Sequence, residues 1–502
     1  MQPNLSNGSD SVLLNSLDHK ADEAANKRAI YIRTGLGIII SLVRSILLAR
    51  LLLPNDISAF RVGTSWVGYF GFLTLGTVDT YFFRGPSLWN SGELFKTRKL
   101  QGVALMMTIA TALVAGIGTT TLSIYLHLTD TLTAVYFGFY ALFATITPFL
   151  SIGFWVKSQF QRQARVEITF AVTGLILGMG GLFIWGLRGL LIGSCLSFIS
   201  GIWLAHDLFP LKTIRYATIK DYLSSIKFGV NQSALVLLQG LINSFDLQVL
   251  TIMIVGHVEL GVYSFATMLA IAIKTAATSG AVVNQTDLLI RYGNSGHSLG
   301  ADFCRDIELT RRLDNALITI FCLGALAIVV AVAPIAFPAY ISMVDPLVGL
   351  ILGIITLRWG YFHAVALMIR SLQRRVMLQA VFGTIITSVW VYISVKSGWS
   401  LKIIALAPGF GAAAYSALTI IICERTFAKR WAYKIILKML ILIAGPSLIL
   451  AVSVSNSWYV NLIWVMVAMS SYIITLALIE MKSLKTTLRF LLLLIGIKPS
   501  WT

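Results

Sequence analysis

Residues Val230 to Val283 read VNQSALVLLQGLINSFDLQVLTIMIVGHVELGVYSFATMLAIAIKTAATSGAVV. Two apolar runs, Val230–Val255 and Leu260–Val283, are divided by a short turn around His257 and Glu259. Each run is long enough for a helix to cross a bilayer core of about 30 Å. The polar residues inside them are periodic. Gln232, Gln239, Asn243 and Asp246 fall at steps of 7, 4 and 3. Ser264, Thr267, Lys274, Thr278 and Gln285 fall at steps of 3, 7, 4 and 7. Each series follows one helical face. Two polar stripes on adjacent spans predict a water-filled passage through an apolar bundle.

The rest of the chain has the same character. Of 502 residues 57% are hydrophobic and 12% charged, against about 25% charged in soluble domains. So few charges cannot coat several soluble domains, and the composition predicts an all-α polytopic membrane protein. The formal net charge of +18 would suggest nucleic acid in a soluble protein. Here the basic residues lie between apolar runs, where they orient the chain in a membrane, and no nucleic-acid partner is expected. Four scattered cysteines without a CxxC pair argue against a disulfide framework or a zinc site.

Fourteen spans are expected. The first six are Ile30–Leu51, Val62–Phe83, Leu100–Tyr125, Leu132–Val156, Ile168–Trp185 and Leu190–Ala205. The next six are the opening pair, Ala316–Phe337, Leu347–Ile369, Val376–Val395 and Ile403–Cys423. Ile435–Val454 and Trp458–Leu478 complete the set. With a cytoplasmic N-terminus the inner loops hold 23 Lys and Arg and the outer loops 5. That asymmetry places both termini in the cytoplasm. Residues 1–27 read as a polar cytoplasmic tail without a cleavable signal peptide, and 481–502 as an interfacial tail. The connection from Asn284 to Asp314, rich in charge, reads as a solvated helix along the membrane face.

Ionisable groups at membrane depth cost about 3 kcal/mol or more each. Arg44, Asp79, Asp246, Lys274 and Arg358 qualify, with His363 a weaker case. They either pair with one another to lock helices together or line a cavity. The periodic stripes favour the cavity, and Ser41, Arg44 and Ser45 add a third polar face. Arg44, Lys274 and Arg358 outnumber Asp79 and Asp246, so such a cavity favours an anion, and guanidinium matches phosphate oxygens. Trp359, Tyr361 and Phe362, and Trp66, Tyr69 and Phe70, either stack on sugar rings or simply pack. Glycine-rich stretches at Gly178–Gly181 and Gly409–Ala414 lie inside spans and read as close helix contacts. No nucleophile elbow, P-loop or metal motif occurs, and the chain is not expected to be an enzyme.

A repeat gives the plan of the whole. ARLLLPNDISAFRVGTSWV, Ala49 to Val67, has a counterpart in TIMIVGHVELGVYSFATML, Thr251 to Leu269. At an offset of 203 residues Asp56 meets Glu259, Ile57 meets Leu260 and Phe60 meets Tyr263. The spans then divide into six, six and two. Arg50, Leu52, Pro54, Asp56 and Phe60, and in the second copy Asp246, Gly256, Glu259, Leu260, Gly261, Tyr263 and Ala266, match a family pattern. On these residues the chain resembles the Wzx-type polysaccharide flippases of the MOP superfamily, relatives of the MATE exporters. Leu53 and Ser58 stand where that pattern usually has glycine.

The resemblance implies two six-helix lobes around a central cavity that opens alternately to each side. The lobes would be 28–215 and 216–423, with 424–480 as two further spans. The implied cargo is an undecaprenyl-diphosphate-linked oligosaccharide, flipped to the outer leaflet of a bacterial cytoplasmic (inner) membrane for polysaccharide export. Polymerase and export machinery would be its partners. On this reading Arg44, Lys274, Arg358, Gln239, Asn243 and Tyr361 contact the substrate. Asp79 and Asp246 balance charge or carry a coupling ion, H⁺ or Na⁺, and no resident cofactor is expected. Two other readings stay open. A drug exporter of the same fold would need a cavity of the opposite sign. A membrane glycosyltransferase, polymerase or ligase would need clustered acids outside, whereas Asp56, Asp130, Glu259 and Asp345 come singly.

Overall fold

The structure is a computed structural model. It describes residues 43–253, 257–294, 301–370, 372–426 and 463–476, with 33, 36–37, 39–41, 436–437 and 460. Both expected tails and nearly all of the span Ile435–Val454 lie outside the described residues. Among those described, every regular element is helical. Nine stretches among the described residues are long and apolar enough to cross a membrane.

The first half begins with α1 (residues 43–51), α2 (Pro54–Phe70) and α3 (Thr77–Asn90), followed by α4 (Leu94–Tyr125) and α5 (Thr131–Val156). α6 (Phe160–Leu204) is broken at Trp185 and Gly186 into two arms. The second half holds α7 (Ile219–Ile252), α8 (His257–Asn294), α9 (Ala301–Ala336), α10 (Val344–Trp359) and α11 (Tyr361–Ile369). α12 (Gln373–Lys396), α13 (Leu401–Ile404) and α14 (Ala407–Thr426) complete it. α15 (Ile463–Leu476) falls within the last expected span.

Lipid supplies no hydrophobic drive between helices, so close approach depends on small residues. In α6 the arms run antiparallel. A Cβ on Gly181 would lie 2.1 Å from the Gly189 carbonyl oxygen, and one on Gly193 2.1 Å from that of Leu177. The turn itself needs Gly186, whose φ is +60°. The short hairpin expected between Trp185 and Leu190 is therefore real, and glycine makes it.

The halves meet along α2 and α3 on one side and α7 and α8 on the other. At the end carrying the α1–α2 and α7–α8 turns, called here the hairpin end, the contact is tight. Arg50 donates from Nε to the Ala336 carbonyl and from Nη2 to that of Ile335, each at 3.1 Å. Tyr340 OH donates to the Leu52 carbonyl at 3.0 Å. Gly261 packs on Pro54, whose carbonyl oxygen would lie 2.3 Å from an added Cβ. Toward the opposite, basic end α3 crosses α7 where Gly76 meets Gly229 and Thr80 Oγ1 donates to the Ser225 carbonyl at 2.8 Å.

Two expectations need correction. Among the described residues the charged connection ending at Asp314 forms no separate surface helix. α9 starts at Ala301 and runs unbroken to Ala336, and it carries Arg311 (2% exposed) and Asp314 (4% exposed) into the core. Arg61, assigned to an outer loop, lies two turns inside α2 and is 8% exposed. Proline at the first helical position starts α2 well before the apolar run does.

Candidate substrate cavity

Three adjoining spaces in the bundle share lining residues. The first, about 570 Å³, is lined by Arg61, Gln239, Asn243, Lys274, Arg358 and Tyr361, with apolar walls from α8, α10 and α14. The second, about 830 Å³, lies in the first half among α1, α5 and α6, with Arg33, Arg44, Tyr140, Glu167 and Phe198 on its wall. A cleft of about 250 Å³ bears both Arg44 and Arg61. Thr275 borders all three.

Helical periodicity on α7 puts Gln239 and Asn243 side by side. Asn243 Nδ2 donates to the Gln239 carbonyl at 2.5 Å, and Gln239 Nε2 to Tyr415 OH at 2.9 Å. Lys274 on α8 and Arg358 at the end of α10 face the same space. The backbone leaves α10 at Gly360, and the new start places Tyr361 beside Arg358. Its ring centre lies 3.6 Å from the guanidinium carbon. Five of the six expected substrate contacts therefore share one cavity. Arg44 stands apart, in the other large cavity and the cleft, with Nη2 3.5 Å from Ser194 Oγ.

The charge pattern is asymmetric. In the cavity of the second half Arg61, Lys274 and Arg358 stand on the wall, and no described carboxylate lines it. Across the three spaces five cations accompany one carboxylate, Glu167. That carboxylate is paired with Arg33 at 3.2 Å and accepts from Ser151 and Gln163.

Asp79 and Asp246 line none of these spaces. Asp246 is fully buried where α7 meets α2 and α8, and it accepts a hydrogen bond from Tyr263 OH. Arg61 is the cation facing it across the halves, and Arg61 Nε also donates to Thr267 Oγ1 at 3.1 Å. The partner of Arg358 is neither expected carboxylate. It is Asp314, whose Oδ2 lies 2.7 Å from Nε behind the cavity wall. Asp314 and Arg61 are the site residues that hydropathy alone assigned to water.

The aromatic groups divide. Tyr361 lines the cavity, whereas Phe362 is buried in the core of the second half. Trp66 Nε1 donates to Gln248 at 2.8 Å, and Tyr69 OH lies 2.7 Å from Ser244 Oγ. These two tie α2 to α7 and do not face the lumen.

No family model and no curated protein matches the chain. Solved structures do. One is an inward-facing multidrug resistance MATE family transporter of the MOP superfamily, with TM-score 0.60 at 13% identity, covering 81% of this chain and 99% of that one. A Vibrio cholerae MATE transporter gives 0.57 at 11%, covering 82% and 100%. An outward-facing MATE structure gives 0.50 at 16%, covering 80% and 96%. At such identities the likeness concerns the fold. The chain is a multi-pass, all-helical membrane protein with the fold of the MATE transporters.

Proposed function

We propose that the chain flips an undecaprenyl-diphosphate-linked oligosaccharide from the inner to the outer leaflet of a bacterial cytoplasmic membrane by alternating access. The observation that supports this reading is the wall bearing Arg61, Lys274 and Arg358 without a described carboxylate. A diphosphate offers two anionic groups to such a wall, and guanidinium binds them in two-pronged fashion. The closed hairpin end lies outside by the positive-inside rule, so the cavities would open toward the cytoplasm, where such a substrate is made.

The matched structures are described as multidrug resistance MATE transporters, and a drug exporter of the same fold is the alternative. An excess of fixed positive charge repels cationic drugs, which is why the anionic cargo is preferred. The test replaces Arg44 and Lys274 together with glutamine and leaves Arg61 and Arg358, which face buried carboxylates, in place. Surface polysaccharide should fall, and lipid-linked intermediate should accumulate on the inner leaflet at wild-type protein abundance. Normal polysaccharide with altered drug susceptibility would favour the exporter instead.

A further inference from the structure

Arg358 has two faces. One belongs to the cavity wall, and the other is held by Asp314, 2.7 Å from Nε and 3.4 Å from Nη2. Asp314 itself does not line the cavity, is 4% exposed, and has Arg358 as its ion-pair partner. A guanidinium carries five donors, but its charge can be neutralised once. An anion that binds Arg358 from the lumen therefore competes with the carboxylate behind it. If the anion wins, Asp314 is left buried and unpaired, a state that costs several kcal/mol for a carboxylate and is relieved by taking up a proton.

Among the described residues Arg358 is the cation paired with Asp314. α8 brings Lys274, which stands on the cavity wall. α11 brings Tyr361, stacked on Arg358, and His363. On α9 itself Arg311 is committed to Glu308 at 2.6 Å. The turn Pro338–Met343 brings Tyr340, engaged with Leu52 at the hairpin end.

We infer that Asp314 is a proton-binding site linked to the cavity, and that an anion binding Arg358 displaces the Asp314 carboxylate, which then takes a proton from water. The guanidinium keeps its charge throughout. The carboxylate gains one proton while the anion is bound and returns it when the anion leaves and the pair re-forms. The ion pair is thus a latch that substrate opens. The inference rests on the anionic reading of the cavity and adds its proton linkage.

The experiment is calorimetric titration of the purified full chain with a short-chain prenyl-diphosphoglucose, whose diphosphate diester keeps a fixed charge near neutrality. Titrations in buffers of different ionisation heat count the protons exchanged. Wild type should take up about one proton per molecule bound, and its affinity should rise about tenfold per unit fall in pH. Asp314→Asn should bind more tightly at neutral pH, without proton uptake or pH dependence. Asp314→Glu, which keeps the competing charge, should restore both. Wild-type binding that is independent of buffer and pH would overturn the proton linkage and leave the anionic cavity standing. Absence of any binding to the wild type would overturn the anionic reading, and the linkage with it.

Discussion

If the two halves rock against each other, the hairpin end must open, and the structure shows what holds it. Removing the Tyr340 hydroxyl deletes a buried hydrogen bond to the Leu52 carbonyl, a net contribution of about 1 kcal/mol. Arg50 bonds the carbonyls of Ile335 and Ala336 in the last turn of α9. A cation is favoured there by the helix dipole, although Arg50 is exposed and solvent weakens the effect. A further ~1 kcal/mol is reasonable. Both contacts exist only while this end is closed. Losing about 2 kcal/mol from one state alone shifts a two-state equilibrium by roughly 30-fold.

The readout uses a cysteine at Leu260, which is 4% exposed in the closed contact, in a background without the four native cysteines. A membrane-impermeant maleimide applied from outside should label Leu260→Cys much faster once Arg50→Ala and Tyr340→Phe are combined. A cysteine at Asn243, on the wall of the cavity, should become less accessible from the cytoplasm. Unchanged labelling at both positions in a folded double variant would show that these contacts do not set the balance between states.

Three other outcomes follow from local geometry. Arg358→Gln leaves Asp314 buried without its partner, at a cost of ~3–5 kcal/mol. Protein abundance should drop, and adding Asp314→Asn should recover most of it without restoring transport. Gly76→Ala must hold an alanine at φ +76° with its Cβ 2.0 Å from the Gly229 backbone. Gly186→Ala meets no neighbour at its φ of +60° and bears only the backbone strain of ~1–3 kcal/mol. The first should fail to accumulate while the second survives with lowered thermal stability. At the start of α5 the Thr133 hydroxyl, seconded by its backbone N–H and Arg188, holds the Asp130 carboxyl down to about 2. That is below the unfolded value of about 3.9. Its stabilisation is therefore full above that value and disappears as pH falls through about 2. Melting curves of Asp130→Asn should lose the wild-type decline across that window.

Much of this arrangement is legible from apolar run lengths and helical steps. A span has to satisfy its own backbone, so its polar groups must share a face if they share a cavity. That is why Gln239 and Asn243 on one helix and Lys274 on the next meet in one space. Asp246 continues the same stripe yet faces protein. The face is the same, but one turn higher the lumen ends and α2 covers α7. Periodicity fixes direction around a helix and not the height at which the halves close.

The misplacement of Arg61 and Asp314 has a different cause. Each borders an apolar run, and a hydropathy reading ends the run there because a lone charge belongs in water. A helix bundle offers another solvent. Asp314 enters because Arg358 is waiting on α10, and Arg61 enters because Thr267 and Asp246 face it across the halves. Neither pairing is local in sequence, since 44 residues separate Asp314 from Arg358 and 206 separate Arg61 from Thr267. A charge at the edge of a span can thus be the inner wall of the site, and its partner on another helix decides which. In this chain the partner of Arg358 stands behind the wall and leaves the other side of the guanidinium facing the lumen. An anion in the lumen and a proton on Asp314 then act on the same group from opposite sides.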